Sequence, residues 1–427
     1  MREHHSKNYA RYVLFAMVVL YTLNVTDRYI ASGLLERIKY SFDVSDTYMG
    51  FLIGPAFAFV YTVLAIPIAR FADRHNRVKI ICIGAVIWSA FTVSSGLATT
   101  PETFAISRLG VGVGEAAFLA PAFSLLSDYF PARQRALAFA VLNFGVYLGQ
   151  IVGLMGGAAI ADAYDWRTAF FILGAPGIGF AALTYFTVKE PKRGGLDEDN
   201  ITADTVSEKT LSDVASLLYG CKSYLYLTLG SVCGGFAGYG FGVWAPTLFV
   251  RAFDLSLTEA NTRYGAPSVI AGIIGAIILG VLADKLSARN PKWPLRLSAI
   301  GLTGSGILMA GIAFAPNPTV GTLLAIPAGL LGGGWVIGVQ ASLQDLVPAK
   351  LRATSTSLWG FAFTFSGLAL GVQFAGLSTD LLTAHFGTDA IRYALFTVLL
   401  PCLPGSLFLL AATRTMQADR AKILAAS

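Results

Sequence analysis

The chain has 427 residues, of which 55% are hydrophobic and 13% are charged, and its formal net charge is +6. Its mean hydropathy is +0.63, whereas soluble domains carry about 25% charged residues, so this composition excludes an ordinary soluble enzyme. Apolar runs of about 20 residues recur along the chain, each long enough to cross a hydrocarbon core roughly 30 Å thick. The sequence therefore predicts an integral membrane protein.

The first apolar run starts near Tyr12 and reaches about Leu35 without a small-residue cleavage site, which predicts a retained span and not a signal peptide. Placing both termini in the cytoplasm puts 23 of the 31 Lys and Arg residues on the cytoplasmic side, as the positive-inside rule requires. Twelve membrane helices are predicted, with limits near 11–38, 46–70, 78–98, 102–129, 135–161, 167–188, 223–249, 259–282, 296–315, 319–345, 353–380 and 391–413.

A long polar stretch from Lys189 to about Leu211 divides these spans into two groups of six. It combines basic residues with an acidic, Ser/Thr-rich segment, a composition typical of a solvated tether. The expected organisation is an N-terminal bundle over 1–188, a cytoplasmic linker over 189–222, and a C-terminal bundle with a cytoplasmic tail over 223–427.

Two cytoplasmic loop motifs occur once in each half. An Asp followed by basic residues comes after spans 2 and 8, and the pattern Pro-Ala-x-x-Arg-Ala comes after spans 4 and 10, at nearly the same offset. Such parallel repetition is typical of transporters whose two bundles rock about a central site. Charge-assisted bonds in these loops could exist in only one rocking state. The expected gating residues are Asp73, Arg74, Arg77, Asp284, Lys285, Arg135 and Arg352.

The sequence contains no Walker loop, so we expect the energy for transport to come from a proton gradient and no cofactor to be needed. The four cysteines and four histidines have no metal-ligand spacing, so no metal site is predicted. Gly110, Gly112 and Gly114 superficially resemble a dinucleotide loop, but they lie in an apolar helix without a preceding strand. Close helix packing is the better interpretation of these glycines.

Four ionisable residues lie inside the predicted spans: Asp27 and Arg28 in span 1, and Arg108 and Glu115 in span 4. A charge at the bilayer centre costs at least about 2.5 kcal/mol, so such residues normally face a partner or a water-filled cavity. Asn24 lies on the same face of span 1 as Asp27 and Arg28, which gives that helix one polar stripe. The spacing predicts one shared site between the two helices.

The mixture of acids and arginines suggests exchange of partners. Burial favours the neutral form of a carboxyl group and a nearby arginine favours the charged form, so a change of partner changes protonation. An anionic head group that takes over an arginine would leave a carboxylate that gains a proton. We therefore expect Asp27 and Glu115 to couple to protons, and Arg28, Arg108 and Asn24 to bind substrate.

The spans of the second half have no ionisable residue in their interiors, but this half is rich in aromatic side chains. An anion-binding wall opposite an apolar wall suits a head group with a hydrocarbon tail. The aromatic residues expected to bind substrate are Tyr239, Trp244, Trp335 and Trp359.

The stretches Tyr21–Tyr29, Asp46–Gly50, Asp73–Arg77 and Arg108–Ala116 resemble the first half of the Spinster family of the major facilitator superfamily. The resemblance covers roughly residues 10 to 190, and the second half only at superfamily level. It implies an all-α fold of 12 transmembrane helices in two pseudo-symmetric six-helix bundles. It also implies transport of lysolipids or sphingoid lipids such as sphingosine-1-phosphate, with Asp27, Arg28, Arg108 and Glu115 at the functional positions. Ala69 replaces the Gly that normally begins the superfamily's loop signature.

The sequence thus favours a monomeric, proton-coupled secondary transporter, and not an enzyme, in a cell membrane. Its expected partners are a lipid-like substrate, the bilayer and protons, with no nucleic acid. One alternative is a symporter of small organic anions from the same superfamily, which would need polar groups on both walls. Another is a membrane receptor or scaffold without transport activity, which would leave the repeated loop motifs unexplained.

Overall fold

The structure is a computed structural model that describes residues 6–193 and 211–426. In these residues the chain is almost entirely helical and has no strand, as predicted. The helices are α1 (Lys7–Gly33), α2 (Leu35–Phe42), α3 (Asp46–Ile53), α4 (Pro55–Ala72), α5 (Arg77–Leu97), α6 (Pro101–Glu115), α7 (Leu119–Tyr129), α8 (Ala132–Ile151), α9 (Gly157–Ala163), α10 (Trp166–Thr187), α11 (Leu211–Tyr219), α12 (Lys222–Phe253), α13 (Leu257–Ala260), α14 (Ala266–Ser287), α15 (Trp293–Ala313), α16 (Pro318–Leu346), α17 (Ala349–Thr364), α18 (Val372–Phe386), α19 (Ala390–Leu399) and α20 (Cys402–Ala426), with π-helical turns at Val152–Gly156, Asn261–Gly265 and Phe365–Gly371 and a 3-10 turn at Gly387–Asp389.

Ten stretches of the described chain are long and apolar enough to cross a membrane. The last of them, Thr354–Ile423, has 70 residues and contains both of the final two predicted spans, which separate near Gly387, where φ is +53°. Helix α12 is not among the ten, but its 32 residues coincide with the predicted seventh span. Each of the twelve predicted spans therefore corresponds to one helix or to consecutive helices in the described residues.

Three predicted spans of the first half are interrupted, and span 1 breaks at Leu34 between α1 and α2. Span 2 breaks where Gly54 is followed by Pro55, because proline lacks the N–H that a continuous helix needs. Span 4 breaks at residues 116–118, so Glu115 is the last residue of α6. Interrupted membrane helices are typical of binding sites in transporters, since the freed backbone groups need a cavity or protein partners.

Two segments expected to be polar connections contain helix. Helix α11 lies within the predicted linker 189–222, of which residues 194–210 lie outside the described residues. Helix α20 continues beyond residue 413, where the last predicted span ends. The reason is Asp419, which is buried and accepts hydrogen bonds from the N–H and hydroxyl of Ser223 at 2.7 and 2.8 Å. This carboxylate caps the start of α12 and ties the extension to the bundle.

The chain divides into two compact units. Residues 1–44 and 56–205 form the first, and residues 45–55 and 206–427 form the second. Glycines permit close packing in the first unit: α8 lies against α1, and a Cβ placed on Gly149 would lie 2.6 Å from the carbonyl oxygen of Thr22. Small residues at such contacts are the usual basis of helix association in membranes. In the second unit, α16 packs between α14 and α15.

The internal repeat is visible in the hydrogen bonds of the two loop motifs. Arg135 donates through Nε to the carbonyl oxygen of Ser127 at 2.9 Å, and Arg352 donates through Nε to that of Gln344 at 3.2 Å. In both cases the acceptor lies eight residues before the arginine. Each arginine therefore ties its loop to the helix that precedes it, within its own unit.

A second repeat, which the sequence analysis missed, lies at the opposite ends of the helices. Phe42 and Phe253 end α2 and α12, and the aspartate after each is left-handed, with φ of 51° and 53°. Arg167 and Arg392 stack on these two rings, 5.9 and 5.2 Å from the centroids. Each arginine also donates to a carbonyl just beyond the end of another helix: Arg167 to that of Ala98 after α5, and Arg392 to that of Ala315 after α15.

Candidate functional site

The charged residues of spans 1 and 4 meet inside the first unit. Arg28 donates through Nη2 and Nε to Oε2 of Glu115, at 2.5 and 3.0 Å. The Glu115 side chain has no solvent exposure, whereas 20% of the Arg28 side chain is exposed. One partner of this ion pair is therefore enclosed and the other is accessible.

Arg108 and Asp27 lie in the same cluster but do not form a side-chain ion pair. Arg108 is fully buried and donates through Nη1 to the backbone carbonyl of Asp27 at 3.1 Å. Asp27 is 1% exposed. The two arginines thus differ, since Arg108 is held inside the protein and Arg28 reaches a surface.

Several polar atoms of the cluster are buried without a hydrogen-bond partner in the described residues: Asn24 Nδ2, Asp27 Oδ1, Arg108 Nε and Glu115 Oε1. Such atoms are rare in folded proteins, and each costs free energy, so their concentration in one place points to function. Both acids use only part of their hydrogen-bonding capacity. Each carboxylate keeps one oxygen where a proton could bind.

The glycines of α6 bring this cluster together. A Cβ on Gly112 would lie 3.0 Å from the carbonyl oxygen of Phe57 in α4, and a Cβ on Gly114 would collide with the backbone nitrogen of Trp88 in α5. A Cβ on Gly110 would overlap the ring of Phe91. The interpretation of these glycines as packing residues is confirmed, because only glycine allows α6 to approach both neighbouring helices so closely.

Two aromatic residues of span 2, which the sequence analysis did not select, belong to the same site. The guanidinium carbon of Arg28 lies 5.0 Å from the ring centroid of Phe57 and 4.9 Å from that of Tyr61. The guanidinium carbon of Arg108 lies 5.7 Å from the Phe57 ring. The available signal in the sequence was the spacing of four residues, which puts both rings on one face of α4.

The aromatic residues predicted to bind substrate lie in the second unit and make packing contacts there. Trp244 is fully buried and donates to the carbonyl oxygen of Val372 at 3.0 Å. Trp359 donates to the hydroxyl of Ser231 at 2.8 Å. Phe363, which was not selected, has its ring centroid 5.4 to 6.1 Å from those of Trp359, Tyr239 and Trp335. A substrate role for Tyr239, Trp244, Trp335 and Trp359 stays a prediction.

Of the predicted gating residues, Arg77 has the most extensive contacts. It is 1% exposed and forms ion pairs with Asp128 and Glu190, each at 2.6 Å. The carboxylate of Glu190 also accepts the N–H of Val78 at 3.1 Å and so caps α5. Arg193 donates to the carbonyl oxygens at the end of α4, among them those of Ala72 and His75.

The other predicted gating residues are more accessible. Asp73, Arg74, Asp284, Lys285 and Arg352 are exposed, and Arg135 is half-buried. Exposed charges at helix ends are available to form different contacts in different states. A gating role for these residues, and for Arg77, stays a prediction.

Enclosed charges within a bundle of apolar helices are typical of multi-pass membrane proteins that contain a substrate or ion pathway. The chain belongs to the Major Facilitator Superfamily, whose family model matches residues 17–372. Within that superfamily it is a Spinster-type transporter, as the following relatives indicate.

An MFS-type efflux pump of Mycolicibacterium smegmatis is 29% identical over 394 residues, which cover 92% of this chain and 90% of that protein. The sphingosine-1-phosphate transporter SPNS2 of Danio rerio is 27% identical over 423 residues, covering 94% and 83% of the two chains. The chain also superposes on the crystal structure of a bacterial homologue of the human lysosomal transporter Spinster, in an inward-facing and unoccupied conformation. The TM-score is 0.88 at 26% identity, and the match covers 97% of this chain and 99% of that one. The Spinster resemblance expected from the sequence is thereby confirmed.

Proposed function

We propose that the protein is a proton-coupled secondary transporter that moves an amphipathic anionic lipid across the cell membrane by alternating access. The substrate class is a lysophospholipid or a sphingosine-1-phosphate-like molecule. The observation that carries the proposal is the pair of Arg28 and Glu115, in which an accessible cation is bound to an enclosed carboxylate.

The coupling step is an exchange at Arg28. A phosphate or carboxylate prefers to bind a guanidinium group through two parallel hydrogen bonds. Arg28 Nη1 makes no hydrogen bond to the described residues, and Nη2 is bound to Glu115. An anion that takes both atoms therefore displaces Glu115 from Nη2, and Glu115 must also give up its 3.0 Å bond from Nε before its carboxylate is free. The abandoned carboxylate, with no solvent exposure, is more stable with a proton.

Arg108 and Asp27 complete the cluster. Arg108 is enclosed, so its positive charge stays in place during the exchange and offsets one of the acids. Asp27 is the second group available to take a proton, through its unpartnered Oδ1. Asn24 contributes an unpartnered amide nitrogen, which can donate to the head group. In this scheme Arg28 makes the main head-group contact and the proton gradient is the only energy source.

The names of two relatives support the proposed substrate class and the direction of transport, respectively. One transports sphingosine-1-phosphate, which combines a phosphate with a hydrocarbon chain. The other is an efflux pump, which is consistent with export from the cell. The distribution of Lys and Arg supports cytoplasmic N- and C-termini. We propose that a monomer is sufficient for transport.

The proposal is tested by flux into proteoliposomes of purified protein, with lysophosphatidylglycerol as the probe and a pH gradient imposed. We expect wild-type flux to follow the gradient, and Glu115→Gln and Asp27→Asn to lose this dependence. Glu102→Gln is the matched control, because Glu102 is an exposed acid at the start of the same helix. Flux of a short dicarboxylate but not of the lysolipid would support the organic-anion alternative. Undiminished gradient dependence in both variants would refute the coupling assignment.

A further inference from the structure

The guanidinium group of Arg28 is held from two directions. Glu115 binds its Nε and Nη2 atoms, and the rings of Phe57 and Tyr61 lie against it at 5.0 and 4.9 Å. These two rings are nearly parallel to each other, with an interplanar angle of 16° and centroids 5.5 Å apart. They therefore form one aromatic surface on α4, which we call the Phe57–Tyr61 face.

This face becomes important when Glu115 is released. A guanidinium group that loses its ion-pair partner regains the freedom of a long side chain, and ordering it again opposes substrate binding. A cation held over an aromatic ring away from bulk water retains favourable energy without an anionic partner. The rings therefore supply the part of the Arg28 environment that does not change during the exchange.

We propose that Phe57 and Tyr61 are positioning residues that hold the Arg28 guanidinium in place while the anionic head group and Glu115 exchange at Nη2. This inference rests on the proposed function. Phe57 also lies 5.7 Å from the guanidinium carbon of Arg108, so its ring serves both cations. Of the two arginines, Tyr61 lies against Arg28 in the described residues, and it is half-buried, which makes it the residue to substitute.

The test compares the KM for lysophosphatidylglycerol in proteoliposomes among variants of Tyr61. Tyr61→Leu removes the ring, and we expect KM to rise about tenfold, equivalent to about 1.4 kcal/mol. Tyr61→Phe keeps the ring, so its KM should stay within about twofold of wild type. Tyr61→Met, a longer and unbranched replacement, is measured alongside in case the leucine variant does not fold. Phe59→Leu is the control, because Phe59 lies on α4 with 59% exposure and away from Arg28.

A second readout separates positioning from a merely structural role. If the rings orient Arg28 toward Glu115, the pH profile of transport changes in Tyr61→Leu and Tyr61→Met but not in Tyr61→Phe or Phe59→Leu. The inference would be overturned if the KM and pH profile of Tyr61→Leu and Tyr61→Met matched those of Phe59→Leu. It would also be overturned if Tyr61→Phe had as large a defect as Tyr61→Leu. Wild-type protein without proton-coupled lysolipid flux would instead overturn the proposed function, which that measurement detects separately.

Discussion

Arg251 and Asp46 form a two-bond ion pair in the second unit, with Nη1 to Oδ2 and Nη2 to Oδ1 both at 2.7 Å. The Asp46 side chain is 3% exposed. The backbone N–H groups of Asp46 and Thr47 donate to the carboxylate of Asp380 at 3.1 and 2.7 Å. The start of α3 is thus held by a cation from α12 and an anion from α18.

The first prediction concerns this ion pair. Arg251→Ala removes the two-bond ion pair to the buried Asp46 carboxylate, which costs about 3 kcal/mol or more, so the Tm of the purified protein should fall clearly. Arg251→Lys keeps the charge but loses the two-bond geometry, so its Tm should lie between those of the wild type and Arg251→Ala. Arg263→Ala, in the π-helical turn after α13, should leave Tm nearly unchanged. Equal Tm values for Arg251→Ala and Arg263→Ala would contradict the prediction.

The second prediction separates two neighbouring arginines that the sequence analysis grouped together. Arg77→Gln removes both of these ion pairs, including the one to the buried Asp128, so we expect a loss of about 3 kcal/mol in folding free energy and a lower Tm. Arg74→Gln changes an exposed side chain in the same loop, and Tm should stay the same. Thermal unfolding in detergent measures both. A drop in Tm for Arg74→Gln as large as that for Arg77→Gln would show that the buried pairs are not the cause.

The third prediction tests how glycine positions the site. An alanine at Gly114 collides with the backbone nitrogen of Trp88, so α6 must shift and Glu115 with it. We expect Gly114→Ala to lose most of its lysolipid flux and to have a reduced Tm. Gly179→Ala is the control, since no atom lies within 4 Å of its added Cβ. Full flux in Gly114→Ala would mean that the position of Glu115 tolerates movement of its helix.

Much of the fold follows from the sequence because bilayer thickness sets the length of each apolar run. The interruptions were harder to predict, since periodicity does not reveal where a glycine-rich helix ends, as α6 does at Glu115. The continuation of α20 was missed because its cause, Asp419 bound to Ser223, joins residues far apart in the chain. Hydropathy alone places Asp419 in a polar tail.

The candidate site was partly predictable for a similar reason. Charges within apolar runs are conspicuous, so Asp27, Arg28, Arg108 and Glu115 were identified directly. The ion pairs between them could not be predicted, because helix spacing does not decide whether Arg28 turns toward Asp27 or Glu115. Aromatic residues are common in membrane helices, so nothing in the sequence distinguished Phe57 and Tyr61 from exposed neighbours such as Phe59.

The central claim is that an anionic head group displaces Glu115 from Arg28 and that Glu115 then takes a proton. It is tested most directly by following proton uptake with an indicator dye when lysophosphatidylglycerol is added to purified protein in weak buffer. The phosphodiester of this lipid stays ionised near neutral pH, so any uptake comes from the protein. We predict about one proton per bound lipid in the wild type, and none in Glu115→Gln although that variant still binds. Binding without proton uptake in the wild type, or equal uptake in Glu115→Gln, would contradict the claim.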